Sequence, residues 1–315
     1  MSSEAQPFVK WVGGKRQVLP EILPRIPSDF GDYWEPFLGG GANFYAIRNL
    51  GEKHGYHLSD LNSELINVYQ QVKSHPLELV KLLEHHRAMH SQHPPFHHKK
   101  GVWKSRPQKQ VWYYMVRGEN YIHRDKAFTR ANQKVLQAAR FIYLNRTCFN
   151  GLHRVNRQGE FNVPAGRYTD PEIVQAERIT ACHKAFKGTA FKSCNYAKAL
   201  RAAKAGDFVY LDPPYDVWDS TSFTSYAKDD FGWQDQEELA QYASQLKQNG
   251  VMVMLSNHAT PRILKLYKDL GFGAHCFGVK RSVAASAASR SPVSEVLFMG
   301  YPHKKQRDPS AARAS

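Results

Sequence analysis

An acid, two prolines and an aromatic ring stand together at Asp212-Pro213-Pro214-Tyr215, directly after the apolar run Phe208-Val209-Tyr210-Leu211. A short apolar run of this kind reads as a buried strand, and the prolines end it because they cannot donate to a sheet ladder. Asp212 and Tyr215 are therefore expected on a stiff turn at the carboxyl end of a strand, where open α/β sheets place their ligands. The Asp212 carboxylate and the Pro213 carbonyl can together accept both hydrogens of an exocyclic amine, and the Tyr215 ring can stack on the base that carries it. That is the equipment for making a poorly nucleophilic amino nitrogen attack a methyl group. Without a cofactor loop elsewhere, the same residues describe only a strand-ending turn with a surface acid.

A second loop is available. Trp34 to Phe37 reads as a strand that runs into Leu38-Gly39-Gly40-Gly41, followed by a helix from Asn43 to Leu50. Glycines at a strand-to-helix turn let backbone approach a ligand closely. The next strand, Tyr56 to Ser59, ends at Asp60, about twenty residues on, where an acid can accept ribose hydroxyls. Alone, this loop suits NAD, S-adenosylmethionine or a merely tight turn. Gly13-Gly14-Lys15 is too short for a phosphate-binding loop. NAD chemistry has no use for an Asp-Pro-Pro-Tyr turn, whereas methyl transfer to an amine does, so the pair of motifs selects S-adenosylmethionine.

Between these two motifs the pattern is mostly helical. Helices are expected over Asn62 to Lys73, Pro76 to His90, Thr129 to about Asn145 (with Thr129 as N-cap) and Pro171 to Phe186. Gln92 to Pro107 reads as a loop or boundary, and Cys148 to Tyr168, rich in Asn, Gly and Arg, as a loop and hairpin. Strands follow at Ala190 to Cys194, Phe208 to Asp212 and Val251 to Ser256, the last fed by a helix from Gln234 to Gln248. A helix over Pro261 to Leu270 precedes strands near His275 to Val279 and Glu295 to Met299. Alternating strands and helices at both ends predict an α/β fold, a Rossmann-like parallel-type sheet interrupted by an inserted, mainly helical domain.

Composition narrows the class. The 315 residues carry a formal charge of +15, which suits an anionic partner. Basic residues dominate from Lys99 to Arg130, opposed only by Glu119 and Asp125, with Trp103, Trp112, Tyr113, Tyr114 and Tyr121 interleaved. Such a mixture suits phosphates and unstacked bases. The N-terminus lacks the layout of a signal peptide, and apolar runs fall short of the ~20 residues that span a bilayer. A cytoplasmic, nucleoid-associated protein without membrane contact is expected. Cys148, Cys182, Cys194 and Cys276 are widely separated, so reduced thiols rather than a metal site or a disulfide scaffold are expected. The histidines His85, His86, His90, His93, His97 and His98 read as a solvated loop, and no metal is expected.

The motifs resemble those of the Dam-type (D12 class, α group) site-specific DNA adenine-N6 methyltransferases. The resemblance is carried by Phe8-Val9-Lys10-Trp11-Val12-Gly13-Gly14-Lys15, Glu35-Pro36-Phe37-Leu38-Gly39-Gly40-Gly41, Ser256-Asn257-His258 and Asp212-Pro213-Pro214-Tyr215. Leu144-Asn145-Arg146 and the segment from Phe149 through Asn162-Val163-Pro164 to Gly166-Arg167-Tyr168 resemble that family's DNA-reading segment. The similarity covers about residues 7 to 301. It implies methyl transfer from S-adenosylmethionine, with S-adenosylhomocysteine as product, to N6 of a flipped adenine in double-stranded DNA, within GATC. By the same resemblance, Trp11, Lys15, Phe37, Gly39, Gly41, Asp60 and Asp212 form the cofactor site. Asp212, Pro213 and Tyr215 are catalytic. Lys10, Phe149, Asn150, Leu152, Arg154, Pro164, Arg167 and Tyr168 contact DNA.

The expected division is a catalytic domain of residues 7–61 and 187–301, an inserted target-recognition domain of residues 62–186, and a disordered tail over 302–315. A monomer on DNA is expected, with a cognate restriction endonuclease as a candidate partner. The family often has tyrosine where Phe149 stands here, and an acid followed by phenylalanine where this chain has Cys194-Asn195-Tyr196. Ser282 to Ser291 is Ser/Ala-rich and lacks the glycine expected of that loop. Two readings compete: a non-enzymatic sequence-specific DNA-binding regulator, and an amino-methyltransferase acting on another site or on RNA.

Overall fold

The computed structural model describes residues 4–51, 54–99, 102–106, 111–119, 128, 131–216, 231–279 and 293–302. The expected tail beyond residue 302 and the Ser282 to Ser291 segment lie outside them. Among the described residues there are nine strands: β1 (Tyr33–Glu35), β2 (Tyr56–Asp60), β3 (Phe96–Lys99), β4 (Val102–Ser105), β5 (Thr189–Ser193), β6 (Phe208–Leu211), β7 (Met252–His258), β8 (Gly273–Val279) and β9 (Val293–Met299).

Two units divide the chain. One comprises Lys15–Leu38, Ala46–Leu61 and Gly188–Ser315. It holds a seven-stranded sheet in the order β5-β2-β1-β6-β7-β9-β8. Strands β5, β2, β1, β6 and β7 are parallel, and β9 joins β7 and β8 antiparallel. From β1 the chain steps outward through β2 to β5, then returns to place β6 and β7 on the other flank. The order therefore reverses between β1 and β6, and the carboxyl ends of those two strands form the switch point at which such sheets bind ligands. All four residues of β6 are buried, as expected of a parallel strand covered on both faces. The helices Trp233–Gln248 and Pro261–Asp269 cover one face, packing Leu239, Ala243, Ile263 and Tyr267 against Val209, Leu211, Val253 and Leu255. Thr260 caps the second helix through its hydroxyl, 3.3 Å from the Ile263 amide, with Pro261 at the position where a missing N–H costs nothing.

The other unit comprises Met1–Gly14, Gly39–Tyr45 and Asn62–Lys187. Its central element is the helix Gln133–Thr147, buried along most of its length from Val135 to Asn145. The helices Ser63–Ser74, Pro76–Gln92 and Trp112–Arg117 pack on it. Asn62 caps Ser63–Ser74 by accepting the Leu65 amide at 2.9 Å.

Four expectations need correction here. Gln92 to Pro107 is not structureless, because β3 and β4 pair antiparallel within it. The Gln133–Thr147 helix is capped by Asn132, whose side chain accepts from the Lys134 amide at 2.9 Å, while Thr129, the expected cap, lies outside the described residues. The helix expected from Pro171 begins only at Ala176. Arg146 takes the Glu172 carbonyl at 3.0 Å, and Ile173 bonds back to the Pro171 carbonyl, so the first five residues cannot enter the helical ladder.

The histidine cluster is the fourth. His86 and His90 are buried on Pro76–Gln92, in line with Leu79, Leu82 and Leu83. His86 accepts from Trp112 Nε1 at 3.2 Å and stacks on Tyr143, while His90 pairs with the Tyr143 hydroxyl at 2.8 Å. Trp112 and Tyr113 are likewise core residues, so neither can stack on a base. Among the described residues no helix is long and apolar enough to cross a membrane.

Burial pushes the imidazoles down, to about 3 for His86 and about 4 for His90, from an ordinary 6.5. Both stay neutral when folded but take up protons once unfolded. Their contribution to stability is full above the unfolded value and is lost as pH falls. Each should remove roughly 1.5 kcal/mol between about pH 6.5 and 5, where carboxylates are still ionised. Urea unfolding of the wild type and of His86→Phe across that range checks this, and the variant should show the shallower loss.

Candidate active site

Asp212 sits one residue beyond β6, and its carboxylate is held from two directions. Ser256, on β7, donates its hydroxyl to Asp212 Oδ1 at 2.8 Å, and the buried Tyr210 hydroxyl donates to Ser256 Oγ at 2.9 Å. Lys15, only 7% exposed, places Nζ 2.8 Å from the same Oδ1. The parallel register that pairs Leu211 with Leu255 carries one step further to bring Asp212 beside Ser256. Lys15 Nζ also lies 4.4 Å from the centre of the Tyr215 ring, within cation–π range.

Tyr215 is fixed at its far end. Its hydroxyl donates to Glu295 Oε2 at 3.1 Å, and its ring meets His258 edge-on at 4.9 Å. Burial first, then the adjacent Asp212, pushes the phenol well above its ordinary value, so it stays a donor. Burial also raises the Glu295 carboxyl, partly offset by Lys15 and by the Tyr215 bond.

The turn itself is braced from behind. The fully buried Asn257 accepts the Asp216 amide at 3.0 Å and donates to Gln236 Oε1 at 3.0 Å. Gln236 in turn donates to the Pro214 carbonyl at 2.8 Å. The Asp216 carboxylate accepts from Thr260 Oγ1 at 2.7 Å and from Arg262 through Nε at 2.8 Å and through Nη2. This network uses the Pro214 carbonyl and not that of Pro213.

At the neighbouring strand ends, Phe37 follows β1 and stacks on Tyr196 at 5.7 Å, with Phe231 edge-on at 6.2 Å. Asp60 closes β2 with its side chain part-exposed, its backbone carbonyl taken by the Cys194 amide at 3.2 Å.

In the helical unit, Trp11 lies against the glycine loop. A side chain at Gly39 would put its Cβ 2.8 Å from Trp11 Cδ1 at a φ of +47°, so only glycine fits there. The Tyr69 hydroxyl holds the Gly39 carbonyl at 2.9 Å, and Gly41 also has positive φ.

The same unit contains a polar clamp. Asn145 accepts the Lys10 amide at 2.7 Å and donates to the Lys10 carbonyl at 2.7 Å and the Gly151 carbonyl at 3.1 Å. It fixes the backbone of Lys10 against the tight turn Phe149–Gly151, where Asn150 has a φ of 54°. Gly151 is forced, since a Cβ there would lie 2.5 Å from Lys10 Cδ. Lys10 Nζ sits 4.3 Å over the Tyr168 ring.

Beyond the turn the chain forms a two-armed excursion, bridged at Val155 with Phe161 and at Cys148 with Ala165. Asn156 closes its tip, accepting the amides of Gln158 at 3.0 Å and Glu160 at 2.9 Å. Phe149 is 50% exposed, unlike a core aromatic, and its amide bonds the Pro164 carbonyl at 2.9 Å. Arg154 is exposed, with Nε held by Asn162 Oδ1 at 2.7 Å. Phe149, Asn150, Leu152, Arg154 and Pro164 thus share one excursion, and Arg167 and Tyr168 follow it directly.

Several partners escape sequence reading: Tyr210, Glu295, Gln236, Asp216 and Arg262. Tyr210 and Asp216 flank the motif in sequence, while Glu295, Gln236 and Arg262 come from three other elements that only strand register and helix placement bring to the turn.

A switch-point sheet carrying a braced Asp-Pro-Pro-Tyr turn is the arrangement of an amino-group methyltransferase. A family model described as D12 class N6 adenine-specific DNA methyltransferase matches residues 11–283. The chain is 38% identical over 299 residues to the Type II methyltransferase M1.LlaDCHI of Lactococcus lactis subsp. cremoris, covering 94% of this chain and 95% of that one. It is 33% identical over 298 residues to the DNA adenine methylase of Salmonella typhi, covering 94% and 95%. To the DNA adenine methylase of Vibrio cholerae O395 it is 31% identical over 298 residues, covering 94% and 96%. The chain therefore belongs to the D12 class of N6 adenine-specific DNA methyltransferases.

Asn257→Ala should destabilise the protein by about 2–3 kcal/mol, because it removes the buried bonds to the Asp216 amide and to the Gln236 side-chain oxygen. Urea unfolding, set beside Ser256→Ala as a milder control, measures the difference.

Proposed function

We propose that this protein transfers a methyl group from S-adenosylmethionine to N6 of an adenine flipped out of double-stranded DNA, within GATC. The observation that carries the reading is the Asp212 carboxylate, held through Oδ1 by Ser256 and Lys15 beside the Tyr215 ring.

S-adenosylmethionine, when bound, supplies an electrophilic methyl group on sulfur. Features of the chain support its fit: a glycine loop that no side chain could enter at Gly39, the Asp60 acid at a strand end for ribose hydroxyls, and the Phe37 and Tyr196 rings for an adenine face. Trp11, Lys15, Phe37, Gly39, Gly41, Asp60 and Asp212 are assigned to it.

The adenine N6 lone pair is delocalised into the ring. With Asp212 and the Pro213 carbonyl accepting its two N–H bonds, the nitrogen is turned toward the tetrahedral geometry that attack requires. The transfer would exchange the donor's sulfur–methyl bond for the new C–N bond, leaving neutral S-adenosylhomocysteine, and the proton that N6 sheds would pass to the Asp212 carboxylate. Extruding the base costs a few kcal/mol, which stacking on Tyr215 offsets. The Tyr215–Glu295 bond sets the plane of that ring.

Residues 62–186 are assigned to target recognition. Arg154 suits bidentate reading of a guanine edge, worth about 1–3 kcal/mol of discrimination. Phe149 is the wedge that fills the gap left by the flipped base. Lys10, Asn150, Leu152, Pro164, Arg167 and Tyr168 complete the contact set. The protein acts as a monomer on DNA at the nucleoid. A cognate restriction endonuclease is the candidate partner.

The test is transfer of labelled methyl from S-adenosylmethionine to two duplexes that differ only in a single GATC. Label in the GATC duplex alone, recovered as N6-methyladenine, is expected. Equal label in both would discard the site, and no label in either, with DNA binding intact, would favour the regulator.

A further inference from the structure

His153 stands between Leu152 and Arg154, both assigned to base contact, yet its own side chain is directed elsewhere. The imidazole stacks on Trp11 at 5.7 Å and on Phe141 at 5.1 Å, with interplanar angles of 28° and 27°. Trp11 and Phe141 are themselves near-parallel at 6.4 Å, and Phe161, on the returning arm, meets the imidazole edge-on at 5.8 Å.

The ring is also anchored electrostatically. His153 Nε2 lies 3.6 Å from Glu64 Oε2, just beyond direct hydrogen-bond range. His153 is the main reason that the Glu64 carboxyl is held below its usual range, with Arg140 adding to the effect. Arg140 Nη1 is 3.8 Å from Glu64, and its other nitrogens bond the Val116 and Arg117 carbonyls at 3.1 and 2.8 Å. Glu64 is therefore backed by a guanidinium that is itself pinned.

The opposite end of the stack is the glycine loop. The Trp11 indole occupies the space a side chain at Gly39 would need. One continuous line of contact thus runs from Gly39 through Trp11 and His153 to the backbone that carries Arg154. Trp11 and His153 are both part-exposed, but a change in the tilt of the indole presses on the imidazole stacked against it, and Phe141 and Phe161 confine that ring from its other sides. Moving His153 moves the peptide units on either side of it, which are those of Leu152 and Arg154.

We propose that His153 is a positioning residue that couples cofactor binding at Trp11 to the base-reading arm, so that cofactor and DNA bind cooperatively through this ring stack. The inference rests on the functional reading above, in which Trp11 meets the cofactor and Arg154 meets a base. Coupling of this kind is reciprocal: whatever factor DNA adds to cofactor affinity, cofactor adds to DNA affinity.

Calorimetric titration of S-adenosylhomocysteine into the free protein, and into protein saturated with a GATC duplex, measures it. In the wild type the duplex should tighten S-adenosylhomocysteine about tenfold, and in His153→Ala the two affinities should agree within about twofold. His153→Phe, which keeps a ring in the stack, should retain most of the wild-type factor. Should His153→Ala fail to fold, Glu64→Ala is read in its place and should lower the factor. Wild-type coupling that persists in His153→Ala, its absence from the wild type, or a His153→Phe protein as uncoupled as the alanine variant would each overturn the proposal. A wild-type protein that does not bind S-adenosylhomocysteine at all would instead overturn the functional reading beneath it.

Discussion

A carboxylate can only steer an amine if its own oxygens are held, and the Asp212 carboxylate is held by a lysine and a serine that meet at one oxygen. Lys15 is nearly buried and faces Asp212 at 2.8 Å. Taking an ammonium and a carboxylate out of water costs several kcal/mol per ion, and their attraction rarely returns more than that. Stability is therefore a poor reason for the pair, while orientation is a good one. With Ser256 on the same oxygen and Tyr210 behind Ser256, Oδ1 is committed and the carboxylate plane is set. The turn that carries it depends in turn on Asn257, Gln236, Thr260 and Arg262, which hold Pro214 and Asp216 from β7 and its flanking helices.

The helical unit uses the same physics for a different task. Asn145 spends its side-chain amide on the backbone of Lys10 and Gly151, and Asn156 spends its own on the tip of the excursion. Side-chain amides bonded to main chain hold a loop where no helix or sheet ladder does. This arrangement leaves Phe149 and Arg154 exposed, the two side chains proposed to meet a duplex.

Much of this was legible in the residues. The β6 run and its proline stop, the glycine loop after β1, and Asp60 at the end of β2 follow from local rules. Burial of His86 and His90 had a signal too, since both continue the helical stripe of Leu79, Leu82 and Leu83. Composition obscured it, because histidine reads as polar until its neighbours are known. The late start at Ala176 was not legible, since it depends on Arg146 capturing the Glu172 carbonyl. The β3–β4 pair is built from Phe-His-His-Lys and Val-Trp-Lys-Ser, which show little alternation. Ser256 and Glu295 reach Asp212 and Tyr215 only through strand register, a property that no single segment encodes.

The most direct measurement of the central claim separates chemistry from recognition at Asp212. Asp212→Ala removes the proposed amine acceptor and leaves the excursion that holds Phe149 and Arg154 untouched. Methyl transfer to a GATC duplex should fall below detection, while the affinity for that duplex stays within a few-fold of wild type. Methyl transfer that survives the substitution would contradict the account, because the carboxylate on which the rest of the turn converges would then not be the group that directs the amine.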